Sequence, residues 1–99
     1  MTVRTRKKKN EAVLTVSGDL VFQEVQDLLE AYRKLNNSSS IEISLAEIGE
    51  IDLPGLQLLY AIRNDRNETG HALRFTGEQA LERISRMAEF AGLPQLEQE

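Results

Sequence analysis

Ile41, Ile43 and Leu45 alternate with Glu42 and Ser44, and a leucine-rich helical pattern opens a few residues later at Pro54. Strict alternation marks a strand that buries one face. The helix is followed by another short strand, Ala72-Leu73-Arg74-Phe75. Two strands joined through a helix pair in parallel, by a crossover that is right-handed in nearly all proteins. The polar side of strand 41–45 narrows the choice further, because a strand covered by helices on both faces reads apolar throughout. The expected fold is α/β, with a single small mixed sheet of four to five strands and its helices mainly on one face.

The remaining elements fit that plan. Thr2 to Lys8 reads as a weak edge strand, and Lys9-Asn10-Glu11 as a polar turn. Ala12, Leu14 and Val16 alternate with Val13, Thr15 and Ser17 in a better strand that Gly18-Asp19 ends. Val25, Leu28, Leu29, Tyr32 and Leu35 recur at helical spacing within a first helix over 23–35. The polar loop 36–40 stops it. A second helix runs from Pro54 to about Asn67, with Gly70 as its stop, and a third from Glu78 to about Phe90, closed by Gly92 and Pro94. Leu81, Ile84, Met87 and Ala88 face inward on the third. The expected order is β-β-α-β-α-β-α in a single domain over 1–99, with a core of about 3–96.

Composition excludes several functions. No cysteine is present, so disulfides and thiolate metal sites are excluded, and one histidine, His71, rules out a His pair. No apolar run approaches the length that spans a bilayer, and no signal-peptide pattern opens the chain, so a cytoplasmic protein without direct membrane insertion is expected. Residues 1–40 hold seven Lys/Arg and five Asp/Glu; residues 41–99 hold five and eleven. That acidic balance argues against nucleic acid, which requires clustered positive charge. Arg4, Arg6, Lys7, Lys8 and Lys9 form the one basic cluster, read as a solvated edge hairpin or as a contact for an acidic partner.

The segment Ile51-Asp52-Leu53-Pro54-Gly55-Leu56-Gln57-Leu58-Leu59 places a carboxylate, a turn and a helix start at one end of the sheet. Two helix starts are open. With Asp52 as N-cap, its carboxylate accepts the Gly55 N–H, since Pro54 has none to offer. With Leu53 as N-cap, Pro54 takes the favoured first helical position, and the residue before proline is spared helical dihedrals. Asp52 stabilises the positive helix end either way, and its residue type fits both a purely structural part and a partner contact. Leu53, flanked by Glu47, Glu50 and Asp52, either packs into the protein's own core or stands as an apolar anchor inside an acidic rim. No Ser or Thr lies between Leu45 and Glu68, so the tip has no aliphatic hydroxyl to modify.

This tip, the Gly18-Asp19-Leu20 bend before the first helix and the closing Ala91-Gly92-Leu93-Pro94 together resemble the STAS family, which includes the bacterial anti-sigma-factor antagonists. The resemblance covers residues 3–96 in the right element order. It implies a small module that binds other proteins. In regulatory members an Asp-Ser pair opens the second helix, and a kinase partner phosphorylates that Ser. Here Asp52 matches the Asp, Leu53 stands at the phosphoacceptor position, and Gly55-Leu56 match the Gly-Leu that follows. Leucine accepts no phosphate, so phosphorylation switching at this position is excluded. Asp-Leu-Pro-Gly-Leu-Gln-Leu-Leu is also similar to STAS proteins encoded beside bacterial chemotaxis genes.

The leading expectation is a non-catalytic interaction module of bacterial signalling or regulation, without cofactor or metal. It docks through the loop 47–53 and the start of the second helix, with Glu47, Glu50, Asp52, Leu53, Pro54, Gly55 and Gln57, on a switch kinase of the anti-sigma type or a chemotaxis-type signalling protein. An accessory STAS subunit of a membrane lipid-transport ATPase is the alternative, and a small-ligand or nucleotide binder at the helix tip a third. A carboxylate pair of Glu47 or Glu50 with Asp52 invites an acid/base reading, but no nucleophile or ligand set accompanies it. His71 is expected to face solvent, Tyr60 to lie in the core, and Ser38, Ser39 and Ser40 to form a polar turn.

Overall fold

A computed structural model describes residues 1–96. Four strands form one sheet: β1 (Thr2–Lys8), β2 (Glu11–Leu20), β3 (Ser40–Ile51) and β4 (Ala72–Thr76). The order across the sheet is β1-β2-β3-β4; β1 is antiparallel to β2, and β3 is parallel to both its neighbours. A 3₁₀ turn over Phe22–Glu24 leads into α1 (Val25–Leu35); α2 (Leu53–Thr69) follows β3, and α3 (Glu78–Ala91) follows β4. Both crossovers step the same way along the sheet, which puts their helices on the same face. Among the described residues no helix is long and apolar enough to cross a membrane.

One sheet face is covered and the other is open. Leu14 pairs with Ile43, and Ile43 with Phe75; all three are buried against the helices, with Leu28, Leu56, Leu59 and Ile84 in the same cluster. The open face is polar. Arg4 donates to Glu47 at 2.8 Å, and Arg74 and Thr76 donate to Glu42 at 2.7 and 3.0 Å. The Arg74 hydrogen bond holds the Glu42 carboxyl below its ordinary pKa, against a partial desolvation that raises it.

Strand β3 departs from the sequence reading. It runs on past Leu45 to Ile51, with register shifts opposite Thr15–Ser17 and Gly18–Leu20. Each shift spends one more residue on β3 than on β2, the signature of a bulge. The apolar period changes from two to three, so Leu45, Ile48 and Ile51 all turn toward the helices. Glu47 and Glu50, expected in a loop, are therefore strand residues.

Arg66 is the one fully buried cation among the described residues, with 0% of its surface exposed. Its guanidinium donates to the carbonyls of Asn36, Ser38 and Ala72 at 2.8–3.2 Å. It thereby joins the loop after α1 to the start of β4. Beside it Tyr32 donates to Asp65. Burial, with the Asp65 hydrogen bond and charge adding, pushes the Tyr32 phenol up to about 12. His71 is half-buried rather than turned to solvent. Its backbone N–H reaches the Arg66 carbonyl at 3.0 Å, and Gly70, left-handed at φ 73°, turns the chain back to allow it. The loop also differs from a simple polar turn, since Ser38 is buried.

Arg66→Met keeps much of the side chain's bulk but strips three carbonyls of their donor. It is expected to cost about 2–4 kcal/mol, measured from the urea midpoint. The phenol makes a second prediction. An unfolded tyrosine ionises near pH 10, whereas folded Tyr32 holds its proton to about 12. Between those values the unfolded state binds fewer protons, so stability falls as pH rises. The stability advantage of wild type over Tyr32→Phe should be complete below pH 10 and shrink between pH 10 and 12, read from paired urea titrations.

Candidate interaction site at the start of helix α2

Asp52 is the N-cap of α2, and its two carboxylate oxygens are both used. Oδ1 accepts the Gly55 N–H at 2.9 Å and Oδ2 accepts the Phe22 N–H at 2.9 Å. Its own backbone N–H donates to the Leu20 carbonyl at 3.3 Å, and its carbonyl accepts from Leu56 at 2.9 Å. One residue thus ties the end of β2, the 3₁₀ turn and the first turn of α2 together. Of the two helix starts open in the sequence, the structure takes the first: Leu53 enters the helix although a proline follows it. Two hydrogen bonds to a charged acceptor, each worth roughly 1.5–3 kcal/mol, exceed the modest steric bias of the residue before proline.

Gly55 sits where no side chain fits. A Cβ there would overlap the Leu20 carbonyl oxygen, and the residue is buried. The same closeness recurs at Gly49, where a Cβ would run into the Asp19 carboxylate. Asp19 accepts the Glu50 N–H at 2.8 Å, holding the second bulge of β3.

The expected site residues separate into distinct surroundings. Glu47 points to the open sheet face, where Arg4 and Ser17 hold its two oxygens at 2.8 and 3.0 Å. It does not rim Leu53, because the first bulge rotates it to the side away from the helices. Glu50 is exposed and stays near the tip, beside Ile51, Arg83, Arg86 and Met87 around a hollow of about 290 Å³. Pro54 is half-buried, Gly55 is buried and Gln57 is exposed on α2. The carboxylate pair that sequence proximity suggests is absent: Glu47 is bound elsewhere and Asp52 has both oxygens on backbone N–H groups.

Leu53 is 49% exposed in the first turn of α2. It lines a groove of about 360 Å³ together with Leu56, Arg86, Met87, Phe90 and Ala91. Phe90 is 97% exposed, and Phe22, in the turn that Asp52 holds, is 69% exposed. Sequence reasoning passed over α3 as a contributor. Its signal was a phenylalanine outside the inward set of Leu81, Ile84, Met87 and Ala88, next to arginines one and two turns earlier.

The helix start offers little to an anion. Pro54 has no N–H, and those of Gly55 and Leu56 are taken by Asp52. Among the described residues no group of three or more His, Cys, Asp or Glu is placed to hold a metal ion. What the arrangement can do is present half-exposed apolar side chains on a rigid helix end.

The family described as "Mlab, STAS domain" matches residues 3–98. The comparison with curated proteins found no match. Among solved structures, the chain is similar to the antisigma-factor antagonist STAS domain from Rhodobacter sphaeroides, at 20% identity over 79% of this chain and 87% of that one, with a TM-score of 0.67. It is similar to the anti-sigma factor antagonist SpoIIAA, a Bacillus cell fate determinant, in its unphosphorylated form, at 11% identity over 93% and 82%, with a TM-score of 0.66. Mglu matches at 18% identity and a TM-score of 0.67 over 73% of this chain, which spans only 18% of Mglu's length. Identities this low speak for the fold alone.

The tip makes a paired prediction. Asp52→Ala removes a cap and a second backbone contact, both to a charged acceptor, and should cost about 3 kcal/mol or more. Leu53→Ser removes a side chain already half in water and should cost under about 1 kcal/mol. Urea midpoints of the two variants check the order.

Proposed function

Because this chain belongs to the STAS family, we propose that it is a non-catalytic protein-interaction module of a signalling or regulatory system, docking through the start of α2. The observation that carries the reading is Leu53: an apolar side chain, half exposed, at the position that resembles the family's phosphoacceptor. Asp52 below it is fully occupied in holding the helix start, so it shapes the surface rather than offering a free charge. A partner then meets Leu53, Gln57 and Glu50, with Pro54 and Gly55 supplying the backbone path. Glu47 belongs to the open sheet face and stands outside this contact.

Leu53 also sets the mode of action. Adding a phosphate to a tip places about two negative charges at the contact and changes which protein binds. Leucine accepts no such group, so the module keeps one binding state, and its output follows its own concentration and that of its partner. The partner classes that suit a constant binder of this family are a switch kinase of the anti-sigma type and a chemotaxis-type signalling protein.

Affinity purification from the native cell with wild type, Leu53→Ser and Leu53→Asp tests the reading. Wild type should retain a defined protein that Leu53→Asp loses at least tenfold, with Leu53→Ser between them. Equal retention by all three removes Leu53 from the contact. Recovery of a membrane lipid-transport ATPase in place of a signalling protein selects the accessory-subunit alternative.

A further inference from the structure

We infer that the groove between α2 and α3 receives an acidic amphipathic helix of a partner protein. A bulky apolar side chain of that helix packs against Leu53, Met87 and Phe90, and its carboxylates meet Arg83 and Arg86. This rests on the docking reading above and deepens it, by naming the partner's chemistry and adding α3 to the contact.

Three observations carry it. The first is shape and polarity. Leu53, Leu56, Met87, Phe90 and Ala91 enclose a concavity of about 360 Å³, with room for large side chains, and Phe90 stands almost wholly in water at its edge. The second is charge. Arg86 lines both the groove and the adjoining hollow, and among the described residues it has no hydrogen bond or ion pair. Arg83, one turn earlier, makes a single long contact of 3.4 Å to the Ile48 carbonyl. Two arginines with unused donors beside an apolar groove complement carboxylates, which they bind in forked pairs. The third is length. Arg83, Arg86, Met87 and Phe90 fall at i, i+3, i+4 and i+7 along α3, a stripe of about 10 Å. Anchors at that spacing are how a groove reads two turns of a partner helix.

Other occupants fit less well. A second copy, docked by the same surface, would bring Arg86 toward its own equivalent across the two-fold axis. A membrane would meet two arginines confined to one short stretch of α3, too few for the spread of basic residues that holds a protein on an anionic bilayer. A bilayer surface also leaves a concave groove unfilled.

Selection of randomised displayed peptides of about sixteen residues on the full chain tests the inference. Enriched sequences should pair Leu, Ile, Phe or Trp at helical spacing with Asp or Glu within a turn. Fluorescence anisotropy with a labelled enriched peptide should show binding weakened tenfold or more by Phe90→Ala and by Arg86→Glu. Arg86→Glu should regain binding to the same peptide with its acidic positions changed to Lys. Both side chains are exposed, so the thermal melts of the variants should match wild type.

Several outcomes overturn it: no enrichment, enrichment of basic or uncharged peptides, or binding indifferent to Arg86→Glu. Phe90-dependent binding to phosphatidylglycerol vesicles, or a dimer in sedimentation that Phe90→Ala dissolves, assigns the groove to a membrane or to a second copy and overturns it as well. The native-cell purification separates the two readings. Loss with Leu53→Asp but full retention with Phe90→Ala and Arg86→Glu leaves the docking reading standing and the groove assignment fallen; retention by all three variants removes both.

Discussion

The first turn of α2 lies against the end of β2 because the chain there has a carboxylate with two backbone partners and, three residues later, no side chain at all. Asp52 bonds Phe22 and Gly55, and Gly55 passes the Leu20 carbonyl at a distance that a methyl group would forbid. Either feature alone would be insufficient. The carboxylate without the glycine would hold a helix pushed off the strand; the glycine without the carboxylate would leave a flexible start with unpaired N–H groups. Together they fix where α2 begins, and so fix that Leu53 projects outward while Leu56, one turn on, is buried. The exposure of Leu53 is thus set by backbone geometry.

Much of the fold was legible because periodicity and punctuation agreed. The two-residue period of Ala12, Leu14 and Val16 and the helical spacing of Leu28, Tyr32 and Leu35 name their elements directly. Gly70 and Gly92 stop their helices in the left-handed conformation expected of them. The polar side of strand 41–45 predicted an open sheet face, and Glu42 with Arg74 now occupies it. The error lay in the second half of β3. Leu45, Ile48 and Ile51 keep one face of a strand through two bulges, yet a spacing of three reads as the end of a strand. Such extra residues are specified by partners distant in sequence, here by Asp19 against Gly49 and Glu50. Nothing within 45–51 announces them.

That error carried into the site. An acidic rim of Glu47, Glu50 and Asp52 followed from treating 47–53 as one loop, in which neighbours in sequence are neighbours in space. A bulged strand sends them three ways: Glu47 to the open face, Asp52 inward to the backbone, Glu50 alone to the tip. The surroundings of Leu53 are consequently apolar, with arginine on the α3 side. Identifying that side from sequence requires knowing that the end of α3 packs beside the start of α2, a tertiary fact. Arg66 was illegible for a related reason. Its position on α2 is unremarkable, and only the fold brings three carbonyls to it.

A phosphoacceptor hydroxyl and a leucine solve different problems at the same helix end. The hydroxyl costs little to hydrate, so it can be covered or released with small energy, and a phosphate added to it supplies the switch. A leucine half in water gains by being covered in every state of the cell, by roughly 1 kcal/mol for the half that remains exposed. That gain is too small to make an interface alone and adequate to bias one whose other contacts are already in place. Leu53 therefore depends on company, and Met87 and Phe90 across the groove are the residues placed to supply it. With only Leu53 the tip would be an ordinary exposed side chain; with the end of α3 beside it, the same leucine is one wall of a continuous apolar groove.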